Sequence, residues 1–142
     1  YTSEEMKLVH ETHKIMGDDA IRITPIVAAR VPVFVGHSEA VYVETERPIT
    51  PAEARALWHD APGIAVLDEI SGDDPYRAYP TPLMAAGKDT TYVGRIRQDL
   101  GNPNGLNFWV VSNNLRKGAA TNAVQIAESL VEQNLLRKNY AK

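Results

Sequence analysis

Two segments early in the chain carry the start signals of amphipathic helices. In Thr2-Ser3-Glu4-Glu5, the threonine fits the N-cap of a capping box and the second glutamate fits its third helical position. A helix is predicted over residues 3–16, with Gly17 ending it. Its less polar positions recur at helical spacing: Met6, Val9, His13 and Met16. Thr50-Pro51-Ala52-Glu53 repeats these signals and predicts a second helix over residues 51–59.

The segments between and after these helices alternate in the manner of strands. Residues 21–46 are rich in β-branched side chains, and Pro25 and Pro32 interrupt them, so two strands or one long bent strand are predicted. Further strands are predicted over residues 64–67, 91–98 and 106–112. The last two form an antiparallel hairpin, and residues 68–89 form a long loop suited to binding or to an interface.

A third helix is predicted near the end of the chain, over about residues 119–138. Its apolar face is formed by Ala120, Val124, Ala127, Val131 and Leu135. The order of elements has no repeat and no βαβ alternation. The predicted class is therefore α+β, with a mixed, mostly antiparallel sheet and helices packed on one face.

The amino-acid composition excludes several classes of function but does not identify a single one. The formal net charge is −3 and no run of basic residues occurs, so neither nucleic acid nor an anionic membrane is expected as a partner. No apolar run approaches the roughly 20 residues that span a bilayer, and a cytoplasmic location is expected. Cysteine is absent, which excludes a thiolate nucleophile within these 142 residues.

Four histidines are the candidates for chemistry, because no common self-contained catalytic motif is present. His10 and His13 share a predicted helix without a convincing third ligand, so an ordinary helix surface is favoured over a metal site. His59 falls near a helix end, where an imidazole interacts favourably with the helix dipole. No metal site is expected.

His37 differs because it follows the apolar segment Val31-Pro32-Val33-Phe34-Val35-Gly36. Its side chain can exchange a proton near neutral pH if one face opens on a pocket, although the residues alone favour a buried core histidine with satisfied hydrogen bonds. Arg30 lies seven residues earlier, which places it on the opposite face of an undistorted strand. A bend or bulge at Pro32 or Gly36 would be needed to bring the two side chains together.

The segment from Arg30 to His37 resembles the Arg-x-Pro-Val-x-x-Gly-His segment of bacterial aspartate-semialdehyde dehydrogenases. Further blocks resemble the same family in the same order: Tyr1-Thr2-Ser3-Glu4-Glu5-Met6-Lys7, Tyr79-Pro80-Thr81-Pro82-Leu83, Val93-Gly94-Arg95-Ile96-Arg97 and Asn113-Asn114-Leu115-Arg116-Lys117-Gly118-Ala119-Ala120-Thr121-Asn122. Together they extend the resemblance over essentially the whole chain.

The resemblance implies a role for five side chains. His37 occupies the position of the catalytic acid/base, and Arg30 that of the arginine that binds the substrate carboxylate. Glu4 corresponds to the acidic contact of the substrate amino group and Lys7 to the lysine of the phosphate site. Asn114 corresponds to a contact at the nicotinamide end of NADP. From the residues alone, Glu4 and Lys7 also fit a solvated ion pair, and Asn114 fits a helix cap.

The resemblance also implies what this chain contributes to a larger enzyme. Residues 1–112 would form part of a catalytic and dimerisation domain like the C-terminal domain of glyceraldehyde-3-phosphate dehydrogenase, and residues 113–142 would pack on a dinucleotide-binding domain. That domain and the nucleophilic cysteine would precede Tyr1, so the 142 residues alone are expected to be inactive. The implied enzyme is a homodimer or tetramer that uses NADP in the biosynthesis of lysine (through diaminopimelate), threonine, methionine and isoleucine.

Two alternatives accompany this interpretation. The chain could be a dimerisation module without catalysis, which the sequence upstream of Tyr1 would reveal. It could also belong to a related N-acetyl-glutamyl-phosphate reductase. The block around Glu4 and Lys7 argues against the reductase, because an acetylated amine needs no acidic contact.

Overall fold

A computed structural model of the chain describes residues 1–69 and 78–135. It divides into two compact units, Tyr1–Pro32 and Val33–Lys142. No helix in the described ranges has both the length and the apolar character that crossing a bilayer requires.

The first unit is built on helix α1, Ser3–Met16, which begins and ends as predicted. The Thr2 hydroxyl accepts a hydrogen bond from the backbone N–H of Glu5 at 3.2 Å, and the Glu5 carboxylate accepts one from the backbone N–H of Thr2 at 2.8 Å. Gly17 ends the helix in the left-handed conformation, with φ of 67°. The Glu5 carboxylate also accepts from the backbone N–H of Ala28, which ties the returning chain to the helix start.

The predicted strand structure of residues 21–46 is only partly confirmed. The first half of the prediction is wrong, because residues 17–36 contain no strand and only His37–Glu44 forms one, β1. Proline offers no N–H to a ladder, so Pro25 and Pro32 interrupt any regular pairing despite the β-branched neighbours. Arg30 is therefore not on a strand, and strand alternation does not place its side chain on the face opposite His37.

The second unit is organised around a four-stranded sheet. The strands that follow β1 are β2 (Ile64–Val66), β3 (Thr91–Gln98) and β4 (Gly105–Ser112). Their order across the sheet is β1-β4-β3-β2. The two pairings that involve β4 are antiparallel, whereas β2 pairs with β3 in parallel. The predicted hairpin and the mixed, mostly antiparallel sheet are both confirmed.

Helix α2, Pro51–His59, covers one face of the sheet, and its predicted capping box is present at Thr50. The core on that face contains Ala54, Val93, Ile96 and Leu106, and Trp58 of the helix packs on Phe108 with ring centroids 4.8 Å apart. The opposite face holds a smaller cluster of Ala85, Tyr92 and Val111. Ala85 lies on the short helix α3, Pro82–Ala85, which the sequence did not predict and which extends the packing to the second face.

A β-bulge interrupts β3 between Gly94 and Arg97, where two residues of β3, Arg95 and Ile96, lie opposite one residue of β4, Phe108. Arg95 adopts a left-handed conformation there, with φ of 56°. The carboxylate of Asp68, whose side chain is 2% exposed, accepts the backbone N–H groups of Arg95 at 2.7 Å and Ile96 at 3.3 Å. Arg55 of α2 donates to the same carboxylate at 2.7 Å, so one buried acid stabilises the bulge and joins it to the helix.

The chain after β4 continues into a π-helix, Arg116–Ala120, and then α4, Thr121–Glu132. The predicted helix of residues 119–138 thus begins earlier than expected, and its residues 136–138 lie outside the described ranges. Helix α4 ends at Glu132, earlier than predicted, so Leu135 of the predicted apolar face lies beyond it. Val124 and Val131 of that face lie on α4, and both are more than half exposed. In the predicted loop of residues 68–89, residues 70–77 also lie outside the described ranges.

Candidate functional site

His37 is the first residue of β1 and pairs with Ser112 of β4. It is exposed, so the alternative of a buried core histidine is wrong. Within residues 33–69 and 78–135, its imidazole forms no hydrogen bond that would occupy either ring nitrogen. The side chain is therefore placed at the end of the sheet ladder and is accessible for proton exchange.

The residue before this histidine is held by Asn114. The backbone N–H of Gly36 donates to Oδ1 of Asn114 at 2.8 Å, across 78 residues of sequence. Gly36 has φ of +118°, and a Cβ there would lie 3.0 Å from Cβ of Pro82. Glycine is thus required by both conformation and space. Two of the predicted site residues, His37 and Asn114, are brought together through this glycine.

The helix cap that was an alternative role for Asn114 is formed by its neighbour instead. Oδ1 of Asn113, a residue only 2% exposed, accepts the backbone N–H of Leu115 at 2.9 Å and of Arg116 at 3.2 Å. This role of Asn113 was not predicted from the sequence, although two consecutive asparagines before a helix are a signal for it. Asn113 orders the start of the π-helix, which leaves the Asn114 side chain for Gly36.

Asp89, which was not identified from the sequence, forms hydrogen bonds with the segment that follows Asn114. Nε and Nη2 of Arg116 each donate to one oxygen of its carboxylate at 2.8 Å, a bidentate pair, and Oγ1 of Thr121 donates to Oδ1 at 2.7 Å. The three contacts join the segment before β3 to the π-helix and to α4. They therefore limit the movement of the loop that carries Asn114.

The stability of this segment should depend on pH through Asp89. Hydrogen bonds from Arg116 and then from Thr121 lower the pKa of Asp89 from 3.8 to about 2. A carboxyl with a depressed pKa stabilises the folded state above its unfolded pKa and ceases to do so once it is protonated. Its contribution should be complete above pH 3.8 and should disappear as the pH falls toward about 2. Urea denaturation across that window should show a shallower loss of stability for Asp89→Asn than for the wild type.

Asp60→Asn provides the matched control, because the Asp60 carboxyl is exposed and, among the described residues, pairs with the neighbouring His59 ring. Its acid profile should follow the wild type. Identical profiles for Asp89→Asn and the wild type would show that the Asp89 contacts do not stabilise the fold.

The remaining predicted site residues lie in the first unit. Nζ of Lys7 and Oε1 of Glu4 form an ion pair at 2.9 Å, with both side chains about half exposed. The hydrogen bond to Glu4 raises the pKa of Lys7. Arg30 is exposed and lies in the segment after α1. The surface ion pair that the sequence left open is thus present, and the substrate roles of these three residues stay predictions.

The other histidines have ordinary structural settings. Nε2 of His13 lies 2.7 Å from the carbonyl oxygen of Ile21 and must donate to it, so that nitrogen is unsuitable as a metal ligand. Nδ1 of His59 lies 3.0 Å from the Asp60 carboxylate at the end of α2. In the part of the chain that the structure describes, no three His, Cys, Asp or Glu side chains are grouped in a way that could hold a metal ion.

An open cavity of about 450 Å³ lies on the sheet face that carries α3. Its lining combines aromatic and proline side chains with two arginines of the bulge, and includes Ala40, Tyr79, Pro82, Arg95, Arg97 and Trp109. Nε1 of Trp109 donates to the carbonyl oxygen of Pro80 at 3.1 Å, which fixes the indole in this wall. An amphipathic aromatic and arginine surface of this kind is typical of protein interfaces.

Known proteins similar to this chain agree on one family. Residues 1–117 match the family model described as semialdehyde dehydrogenase, dimerisation domain. The aspartate-semialdehyde dehydrogenase of Legionella pneumophila is 55% identical over 138 residues, and that of Aquifex aeolicus is 50% identical over 136; each alignment covers 96% of this chain and 38% of the relative.

Solved structures give the same result. A crystal structure of aspartate semialdehyde dehydrogenase II from Vibrio cholerae, complexed with ASA, superposes with a TM-score of 0.82 at 49% identity and covers 93% of this chain and 37% of that one. A probable aspartate-semialdehyde dehydrogenase from Pseudomonas aeruginosa superposes with a TM-score of 0.74 at 33% identity. The chain thus spans less than two fifths of the length of these relatives. These relatives do not favour the N-acetyl-glutamyl-phosphate reductase alternative, and the chain belongs to the semialdehyde dehydrogenase family, whose dimerisation domain it contains.

Proposed function

We propose that this chain is the C-terminal part of an NADP-dependent aspartate-semialdehyde dehydrogenase, which interconverts L-aspartyl-4-phosphate with L-aspartate 4-semialdehyde and phosphate. The observation that carries the proposal is the accessible His37 at the start of β1, held through Gly36 by Asn114, in a chain 55% identical to an enzyme of that name. His37 is the general acid/base. When a cysteine thiolate outside these 142 residues adds to the aldehyde, the carbonyl oxygen becomes the hydroxyl of a hemithioacetal. The imidazole takes the proton from that hydroxyl as the hemithioacetal is oxidised to a thioester, and it returns the proton in the opposite direction.

Substrate recognition is assigned to the first unit. Arg30 binds the α-carboxylate through two parallel hydrogen bonds, a geometry that suits a planar guanidinium better than an ammonium. Glu4 contacts the amino group and Lys7 the phosphate. The ion pair between Glu4 and Lys7, which are three residues apart on α1, supports this assignment. It keeps a negative and a positive charge on one side of the helix, and the substrate also carries charges of both signs.

Arg30→Lys should raise the KM for aspartate semialdehyde by about 10-fold or more, because a lysine cannot form the bidentate pair. Steady-state kinetics on the complete polypeptide that contains this chain would measure it. Arg22→Lys is the matched control, since Arg22 is an exposed arginine of the same unit and should leave KM unchanged. An unchanged KM for Arg30→Lys would remove Arg30 from the substrate site.

The donor groups of Asn114 fit the nicotinamide end of NADP. Oδ1 of the carboxamide is occupied by the Gly36 N–H, which leaves the amino group and its two N–H donors for another partner. Such donors match the carbonyl oxygen of the nicotinamide carboxamide. When bound, the dinucleotide supplies the hydride acceptor of the reaction. Residues 113–142 are assigned to packing against the dinucleotide-binding domain, and the apolar residues exposed on α4, Val124 and Val131 among them, support this.

The proposed function is tested by assaying the complete polypeptide for oxidation of aspartate semialdehyde, with phosphate and NADP supplied. Turnover with that substrate and much weaker turnover with N-acetyl-glutamate semialdehyde are expected. The 142 residues alone should show none, because they contain no cysteine nucleophile. A complete polypeptide that dimerises but does not turn over would support the non-catalytic module instead.

The same proposal includes a homodimer formed across the cavity face of the sheet. The dimerisation domain of the family and the aromatic and arginine lining of this face both support a second copy as the occupant. Ala40 of β1 is exposed on this face opposite Trp109, its partner in the ladder. A large charged side chain at position 40 would hold the two copies apart.

Ala40→Arg should raise the dimer dissociation constant on the order of 30-fold, as expected for loss of about 2 kcal/mol at the centre of an interface. Sedimentation equilibrium would measure the constant. Leu57→Arg, at an exposed position of α2 on the other face, should leave it unchanged. A monomeric wild type, or equal effects of both variants, would contradict the assignment of this face.

A further inference from the structure

The backbone before His37 lies beyond the regular ladder of the sheet. The last paired residues of β1 and β4 are His37 and Ser112, so neither Gly36 nor Asn113 belongs to the ladder. The N–H of Gly36 is instead taken by a side chain, Oδ1 of Asn114 at 2.8 Å. This hydrogen bond continues the pairing of the two segments by one step, at the point where the imidazole of His37 leaves the sheet.

Gly36 is the position at which such a restraint has the greatest effect. Its φ of +118° lies in a region that other residues avoid, and glycine loses more conformational freedom on folding than any other residue. Ordinary β sterics therefore do not hold the backbone here. Pro82 restricts one side, because a Cβ on Gly36 would lie 3.0 Å from Cβ of Pro82. The Asn114 carboxamide provides the second restraint, because its oxygen accepts the Gly36 N–H and so fixes the orientation of that peptide group.

The Asn114 side chain is itself anchored from two directions. Asn113, buried beside it, accepts the N–H groups of Leu115 and Arg116 and so orders the backbone that follows. Asp89 pairs with Arg116 through two hydrogen bonds of 2.8 Å. A carboxamide on a loop restrained in this way is preorganised to receive the Gly36 N–H.

We propose that Asn114 is a positioning residue for His37: its side-chain oxygen fixes Gly36 and thereby the direction in which the acid/base imidazole projects. The inference rests on the proposed function for the role of His37, but the hydrogen bond itself belongs to the fold. It adds to Asn114 a task separate from contact with the dinucleotide, since that contact would use the amino group and this one uses the oxygen.

Two substitutions separate these tasks in the complete polypeptide. Asn114→Ala removes both the oxygen and the amino group, whereas Asn114→Asp keeps an acceptor for Gly36 and removes the donors. Asn107→Ala is the control, because Asn107 is a half-buried residue of β4 whose carboxamide donates a hydrogen bond to Asp99. It lies five residues from Ser112 along the strand.

Amide hydrogen exchange at Gly36 provides a readout that does not depend on activity. Asn114→Ala should accelerate it by about 5-fold or more, the effect of losing one hydrogen bond, and Asn114→Asp should keep it near the wild-type rate. At saturating dinucleotide, kcat should fall by about 10- to 100-fold in Asn114→Ala, as expected for a misplaced catalytic group, and should recover to within about 5-fold of the wild type in Asn114→Asp. Asn107→Ala should change neither quantity.

Unchanged Gly36 exchange in Asn114→Ala would overturn the inference, and so would an equal loss of kcat in both Asn114 variants. These outcomes differ from failure of the proposed function, which would leave the wild type without turnover on aspartate semialdehyde. In that event, faster Gly36 exchange in Asn114→Ala alone would still establish the restraint on the backbone before His37.

Discussion

His37→Ala should lower kcat by about 10²- to 10⁴-fold in the complete polypeptide, the range expected for loss of the proposed general acid/base, while the KM for aspartate semialdehyde should change little. The substitution removes an exposed side chain, so it leaves no internal cavity and should not weaken the fold. In the proposed function, the histidine acts during the chemical step, whereas substrate binding is assigned to other residues. The loss should therefore appear in kcat.

Steady-state kinetics and urea denaturation, applied to the same preparations, distinguish this outcome from a structural role. His59→Ala is the matched control, because His59 is an exposed histidine at the end of α2 and should retain wild-type kcat. Loss of activity that follows a lowered unfolding midpoint would assign His37 to the fold. Full activity in His37→Ala would remove it from the reaction.

Gly94→Ala should destabilise the fold by about 3 kcal/mol or more, the upper range for forcing an atom into a packed interior. A Cβ at this position would lie 2.1 Å from the carbonyl oxygen of Leu67 and 2.6 Å from Cδ of Pro80. The first neighbour is backbone, and Leu67 N–H is bonded to the carbonyl oxygen of Val93 at 2.8 Å, so neither strand can simply move away. Urea denaturation monitored by tryptophan fluorescence would measure the change.

Gly101→Ala is the control for this substitution. Its nearest neighbour would be Oδ1 of Asp99 at 3.6 Å, an ordinary contact, and the change in unfolding free energy should stay within about 0.5–1 kcal/mol. Similar stabilities for the two variants would show that the approach of Leu67 to Gly94 relaxes without cost.

Local signals in the sequence were sufficient for most of the elements. The capping boxes at Thr2 and Thr50 are short-range chemistry, and both helices begin where those residues place them. The hairpin of β3 and β4 follows from alternation around a turn rich in glycine and asparagine. The strand prediction for residues 21–36 was wrong because it used local composition alone. β-Branched side chains favour extended backbone, but a strand also needs a neighbouring strand with which to form hydrogen bonds.

The candidate site was predictable only where a recognisable motif carries it. His37 and Asn114 lie in such motifs, and the structure joins them through Gly36. The contacts that restrain this arrangement connect distant positions, as Asp89 and Arg116 do across 27 residues. Nothing in the local sequence pairs these two charges, because many other acids and bases of the chain are equally eligible partners.

The bulge in β3 reverses which face of the sheet each later side chain of the strand points to. Regular alternation from Gly94 would send Ile96 to the cavity side of the sheet and Arg97 into the apolar layer beneath α2. The additional residue reverses both directions, so the isoleucine is buried in the core and the guanidinium lines the cavity. One irregular backbone step thus serves the interior and the outer surface together, and a substitution that straightened this strand would bury a cation and expose a hydrocarbon at once.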